Sequence, residues 1–454
     1  MGEWKKTQCD MCAVSCGIEV EIENNEIINV RPDPDSPRTS NYMCRKGRAA
    51  KYFVHNEDRL NYPLKKVGDH FERISWQQAY AEISQRANAI LKEHGPRAFA
   101  FCGGTLASEQ SEAALAKTFV SNAIGSQYWY CPIGLEFMGT WWSHGKILGH
   151  QLYFTEPDEK RNEVLIFWGS NSYVSHQMAD ARRIIRRFSQ DAEKMVITVD
   201  PRLSETARMS DMHIPVRNGT DALFLRALIA PVSGTGMVER AGIKPLGLHP
   251  ILERLPKFKD LCLMDACFQL VDDTPQGAII AVTDPDRLIH DHIYHKDKKL
   301  HLWCEEVDGV MPRLTPEQEE KELTLNGEYP MLLSSGRHQD SGVNAVMRNP
   351  KTYRFRSPDT ALMHPDDAKR LGVANGDLVR VSTKTGSGVL PAEVSFQASP
   401  NYVMIPHHFG FTFNGKTIGI NANDFTASED IDELTGNPLL RYIPCRVERV
   451  EESA

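Results

Sequence analysis

The chain of 454 residues lacks any excess of basic charge: 52 Lys and Arg stand against 60 Asp and Glu, for a formal net charge of −8. That balance excludes the broad cationic face that grips a phosphodiester backbone, so nucleic acid is not an expected partner. No apolar run approaches the ~18 residues needed to cross a bilayer, which argues against membrane insertion. The opening MGEWKKTQCDMC carries neither the apolar core of a secretory leader nor a twin-arginine pair, and reads as the start of a cytoplasmic protein. Internal repeats and low-complexity tracts are also missing, so neither a solenoid nor a fibrous chain is expected. What remains, with 41% apolar and 25% charged residues, is the composition of a globular protein. Its length suggests about three domains.

Cysteine is present but unevenly placed. Cys9, Cys12 and Cys16 follow the spacing C-x2-C-x3-C, and Cys44 supplies a distant fourth thiol. In a reduced chain, clustered thiols point to metal rather than to disulfides. Four thiolates suit a tetrahedral zinc or an iron-sulfur cluster. Structural zinc usually draws on two tight pairs, whereas three ligands on one loop with a remote fourth wrap a larger cubane more naturally. The remaining cysteines, Cys102, Cys131, Cys262, Cys267, Cys304 and Cys445, are scattered and read mostly as small buried hydrophobes.

The patterning divides the chain into four regions. Residues 1–60 form a small module around the thiols, with IEVEIENNEIINV alternating around Asn24-Asn25 as a β-hairpin. Residues 61–230 are α/β. Ser75 caps a helix ended by Gly95-Pro96, and EVLIFWGSN, HQMADARRIIRRFSQD and KMVITVDPR read as strand, helix and strand of a parallel βαβ unit. Ligands bind beyond the carboxyl ends of such strands, here Gly169 to Asn171 and Asp200 to Arg202. Residues 231–328 have little regular period, and His290, His292, His295 and His301 in that stretch read as a polar hairpin rather than a metal site. Residues 329–454 return to short strands separated by Gly and Asn turns, which a closed β-barrel buries without open edges. The fold class is therefore α/β with a C-terminal β-barrel.

The CDMCAVSC set followed by Cys44-Arg45-Lys46-Gly47, with DPRLSETARMSDMHIPVRNGTDALF and LSSGRHQDSGVNAVMRNP further on, resembles the molybdopterin oxidoreductase family, the dimethyl sulfoxide reductase and formate dehydrogenase group. The resemblance implies a 4Fe-4S cluster on Cys9, Cys12, Cys16 and Cys44, a Rossmann-like sheet, a double-psi-type barrel, and a molybdopterin guanine dinucleotide carrying molybdenum or tungsten. It implies that Lys46 lies on the electron path between cluster and pterin. Gly169 and Asn171 would approach phosphate or pterin, Asp200 and Arg202 ribose and phosphate, and Asp211, Gly219 and Asp221 the guanine end. From the barrel, Ser335, Gly336, Arg337, His338, His407, His408 and Asn423 would approach the cofactor. Cys131 is the soft metal ligand the resemblance suggests, with Gly134 and Gly139 letting its loop come close.

Three departures limit the resemblance. Pro132 follows Cys131 where formate-oxidising members carry histidine, and Ala13 follows Cys12 where a non-redox tungsten hydratase carries aspartate. After GTDALFLRALI the chain also passes quickly to the barrel, omitting most of the family's middle, so that one nucleotide pocket is expected and the other is not. A natural short form, a shortened chain and a subunit completed by a partner all fit that pattern. The leading expectation is an oxidoreductase acting on a small substrate and exchanging electrons with a partner protein. A non-catalytic cluster-bearing subunit and a non-redox hydratase are the alternatives.

Overall fold

The computed structural model describes residues 2–225 and 293–451, apart from short stretches of which 105–110, 152–156, 337–350 and 352–358 are the longest. The N-terminal module is an antiparallel sheet of β1 (Glu3–Gln8), β2 (Gly17–Glu23) and β3 (Glu26–Pro32). Asn24 and Asn25 join the last two strands at φ +51° and +64°, the left-handed pair that gives a tight hairpin the twist of its strands. The inward residues Ile18 and Val20 share a core with Met11, Met43 and Ala49, closed by two short helices, α1 (Arg45–Arg48) and α2 (Ala50–Val54).

A hairpin of β4 (Leu64–Val67) and β5 (His70–Arg73) leads into α3 (Trp76–His94). The Ser75 hydroxyl accepts from the Gln78 amide at 3.1 Å, satisfying one of the helix's orphan donors, and Gly95 at φ +72° ends it. Beyond it β6 (Phe101–Cys102) pairs in parallel with β7 (Trp129–Tyr130), with α4 (Ser111–Thr118) between them and α5 (Ile133–Glu136) and α6 (Met138–Leu148) after.

The βαβ unit runs through β8 (Val164–Trp168), α7 (Ser172–Ser175), α8 (Ala181–Gln190) and β9 (Met195–Val199), and β10 (Met212–Ile214) adds a third parallel strand. The long helix expected over this stretch starts late: Asp180 at φ +51° breaks it, and only α8 is continuous. Ile184, Ile185 and Phe188 of α8 pack on Leu165, Phe167 and Val196, each fully buried side chain contributing about 1.5–3 kcal/mol. Val164 and Ile166 face the other way and are 48% and 59% exposed, on a sheet type ordinarily covered on both faces.

Six strands close the barrel in the order β11 (Met331–Gly336), β15 (Tyr402–Pro406), β12 (Ala361–Met363), β14 (Ser387–Val394), β13 (Leu378–Ser382) and β18 (Ile443–Arg449). A separate hairpin, β16 (Phe411–Phe413) and β17 (Lys416–Ile418), stands outside it. The alternate residues Leu333, Met363, Val379, Val381, Leu390, Val403 and Ile405 fill the interior. The fold class is thus the expected one, α/β with a C-terminal barrel. No helix among the described residues is long and apolar enough to cross a membrane.

One buried acid makes this barrel sensitive to pH. Asp359 accepts from the Ile420 amide at 3.0 Å through Oδ2, whereas its buried Oδ1 has no hydrogen-bond partner among the described residues. Burial pushes its pKa from 3.8 up to about 7. Because the native pKa lies above that of the unfolded chain, stability is lost as pH rises from about 4 to about 7 and is level above that. Hydrogen exchange of the barrel amides, corrected for intrinsic rates, should show weaker protection at pH 8 than at pH 5. Asp359→Asn should flatten that dependence, and an unaltered slope in the variant would exclude Asp359 as its source.

Candidate cofactor site

The thiol loop is held by its own main chain. Cys9 N donates to Cys16 O at 2.8 Å, and Ser15, at φ +47°, turns the loop so that its amide reaches Cys12 O at 3.0 Å. Gly17 permits the close return: a Cβ there would lie 2.5 Å from Ser36 Oγ. Cys44 stands at the N-cap of α1, and at Gly47 a Cβ would meet Met43 Cγ at 2.7 Å and Cys9 Sγ at 3.5 Å, so the absence of a side chain brings α1 against the thiol loop.

Cys9 and Cys16 are buried, and Cys12 and Cys44 are half-buried. Burial first, and repulsion from the other thiolates second, push Cys9 and Cys16 up to about 12, so the four thiols interact with one another electrostatically. Alone, Cys9 and Cys16 hold their protons; a cationic metal core would exchange for them and bind thiolate. Among the described residues no three such groups converge on a single ion. Three thiols on one loop with a fourth at the N-cap of α1 form a donor set that fits an iron-sulfur cluster.

Lys46 follows two residues after Cys44 and is only 2% exposed. Its Nζ donates to Ser175 O at 2.8 Å, which ties the thiol module to α7 at the end of β8. That contact opens on a cavity of about 610 Å³, lined also by residues of the α/β unit and the barrel. A second hollow of about 590 Å³, beside Glu159 and Arg187, holds none of the groups singled out above.

From the α/β unit the cavity receives Gly169, Asn171, Asp200, Arg202, Gly219 and Asp221. The φ angles of Gly169 and Gly219, +58° and +86°, bring bare backbone to its wall. Asn171 donates to Glu205 at 2.7 Å and accepts from Thr206 N at 3.1 Å. Arg202 lies 3.6 Å from Glu205 and reaches Gln397 of the barrel side at 3.5 Å. Asp200 is buried, its pKa raised by desolvation, and accepts from Arg202 N at 2.8 Å. Trp168 Nε1 donates to Asp221 Oδ1 at 2.7 Å.

From the barrel come Ser334, Gly336, Tyr402, Met404, His407 and Arg441. The parity of β11 decides this: Ser334 and Gly336 face the cavity, whereas Ser335, named from sequence, faces away, its carbonyl accepting from the Arg441 guanidinium. Lys46, Arg202, Arg441 and His407 supply positive charge or donors around the cavity, and strand-end backbone supplies close approach. The donor set therefore fits an anionic dinucleotide.

Not every expected residue is brought there. Asp211 pins β9 instead, accepting from Val196 N at 2.7 Å through Oδ2. Asn423 is exposed in a 3-10 turn outside the cavity. Cys131 is half-buried after β7 and accepts from Gly134 N at 3.1 Å, but Glu136, five residues further on, lines the cavity. Arg337, His338 and His408 lie outside the described residues, as do His290 and His292. The His295 and His301 rings stack with centroids 3.8 Å apart, His301 facing Asp297 at 3.1 Å, and form no metal group among the described residues. Glu205, Trp168, Ser334 and Arg441 escaped the sequence reading; only Trp168, at a strand's carboxyl end, carried a usable positional signal.

A thiol module, a parallel α/β unit and a closed barrel meeting at one cavity define a protein built to hold an iron-sulfur cluster beside a large anionic cofactor. Three family models bear on this: the molybdopterin oxidoreductase Fe4S4 domain over residues 3–56, molybdopterin oxidoreductase over 59–239, and the molydopterin dinucleotide binding domain over 331–444. The chain belongs to the molybdopterin oxidoreductase family and carries its Fe4S4 and dinucleotide-binding domains. It is 28% identical over 226 residues to the thiosulfate reductase molybdopterin-containing subunit PhsA of Salmonella typhimurium, covering 48% of this chain and 28% of that one. Acetylene hydratase of Syntrophotalea acetylenica is 27% identical over 273 residues, 57% of this chain and 36% of that protein. Periplasmic nitrate reductase of Desulfovibrio desulfuricans is 26% identical over 232 residues, with coverage of 50% and 30%. The chain thus spans about a third of the length of these curated relatives. Among solved structures, acetylene hydratase from Pelobacter acetylenicus matches with TM-score 0.66 and 17% identity, over 98% of this chain and 100% of that chain. At that identity the likeness concerns the fold.

Proposed function

We propose that this chain is the cofactor-bearing part of a molybdenum- or tungsten-dependent oxidoreductase that passes electrons between a small substrate and a 4Fe-4S cluster. The observation that carries this reading is the cavity where Lys46 of the thiol module meets groups from the strand ends and from the barrel. Cys9, Cys12, Cys16 and Cys44 hold the cluster. Arg202 and Arg441 attract the phosphates of a molybdopterin guanine dinucleotide, Gly169 and Gly336 admit it, and Asp221 takes the base. When bound, the metal centre supplies exchange of oxygen, hydride or a proton with the substrate and the cluster stores single electrons. The protein's own work is to orient these groups and exclude water. Lys46, a cation held between cluster and cavity, lowers the cost of placing negative charge on either side. Cys131 is the protein ligand proposed for the metal, from the loop that leads to Glu136.

The fraction of the relatives' length that is present favours a second reading, an electron-carrying subunit completed by a partner chain. A non-redox hydratase finds no carboxylate at Ala13 to act as its acid. Anaerobic purification with iron, sulfide, molybdenum, tungsten and pterin counted per chain separates these readings. About four irons with molybdenum or tungsten and pterin are expected. Iron without either metal or pterin would leave the carrier, turnover without an electron acceptor would favour the hydratase, and zinc without iron would overturn all three.

A further inference from the structure

We infer that Trp168 is a positioning residue at the nucleotide end of the cavity, holding the Asp221 carboxylate in the orientation that selects a guanine base. This rests on the dinucleotide reading above and adds to it the residue that fixes the base contact. Trp168 is the last residue of β8, and its indole Nε1 donates to Asp221 Oδ1 at 2.7 Å. The same indole ring packs at a tilt on Phe224, with centroids 5.6 Å apart. Phe224 lies three residues beyond Asp221, so ring and hydrogen bond together tie that segment to the end of a buried-face strand. Trp168 and Asp221 both line the cavity, as do Asn218 and Gly219.

Asp221 itself is exposed, and an exposed carboxylate with no anchor rotates freely and loses entropy on binding anything. An indole N–H is a donor only and is fixed to a rigid ring, so it sets one carboxylate orientation. Each carboxylate oxygen accepts about two hydrogen bonds. The indole takes one position on Oδ1, leaving the other and those of Oδ2 side by side. Two adjacent donors match that pair. Guanine presents them as N1–H and the exocyclic N2 amine, hypoxanthine keeps N1–H alone, and adenine sets a donor beside an acceptor that would face the carboxylate.

The full-length protein, purified without its metal cofactor, is titrated calorimetrically with GDP and IDP as wild type, Trp168→Phe and Asp221→Asn. Wild type should prefer GDP by about tenfold, the worth of one hydrogen bond to a charged group. Trp168→Phe keeps the ring against Phe224 and removes only the N–H; it should compress the preference to about threefold or less with IDP affinity changed less than about twofold. Asp221→Asn should abolish the preference. An unaltered GDP-to-IDP ratio in Trp168→Phe, or equal weakening of both nucleotides, would overturn the positioning role, the latter marking Trp168 as packing alone. Wild type that binds GDP no better than IDP would overturn it too. Wild type that binds neither nucleotide would remove the dinucleotide reading and this inference with it.

Discussion

Cys16→Ala should bring the iron content from about four per chain to below about one and abolish the broad sulfur-to-iron absorption. The effect is large because a cubane lacking one of four thiolates has an open corner that water and oxygen attack, and a methyl group offers no lone pair to close it. The loop should nevertheless keep its shape. The bond that closes it, Cys9 N to Cys16 O at 2.8 Å, is main chain to main chain and survives the substitution. Circular dichroism should therefore change little while metal is lost. Cys445→Ala is the matched control: that thiol is fully buried in the barrel core, and its loss should cost stability through a small cavity but leave iron unchanged. Equal iron in wild type and Cys16→Ala would remove Cys16 from the ligand set.

Lys46→Met should retain its iron yet lower turnover with a dye acceptor by roughly a hundredfold, the scale of losing one preorganised charge at a reacting centre. Lys46 is buried and its ammonium reaches Ser175 O at 2.8 Å, a fixed position that methionine can fill in length but not in charge. With that cation gone, reduction places an electron on the cluster without a compensating charge, so the midpoint potential should move negative. One kcal/mol of lost attraction corresponds to about 40 mV for a single electron. Lys46→Arg should restore most of the potential. Potentiometric titration followed by electron paramagnetic resonance reads this directly, and an unmoved potential with full turnover would take Lys46 off the electron route.

The residues behind these two predictions were legible in sequence to different degrees. The thiols were visible because metal-ligand spacing is a local property of the chain: Cys9, Cys12 and Cys16 sit on one loop, and Cys44 opens the next helix. Ser75 and Gly95, which start and stop α3, and the Asn24-Asn25 turn were visible for the same reason, since caps and hairpin turns are set by one or two residues. Asp211 was misleading because an aspartate at the edge of a strand can serve a nucleotide or its own sheet, and here, just before β10, it is taken by Val196 N of β9. Ser335 missed the cavity by a single residue, because which face of β11 points inward is fixed by its pairing with β15 and β18.

The sequence by itself determined the ligand spacing, the βαβ unit, the strand-rich C-terminal region and the family, all of which rest on contacts or periods spanning a few residues. The tertiary structure alone decided which groups share the cavity. Lys46 meets Ser175 across 129 residues, and Trp168 meets Asp221 across 53. Such pairings follow from how three separately cored units pack together, and no local pattern of side chains encodes the direction in which each of them faces the others.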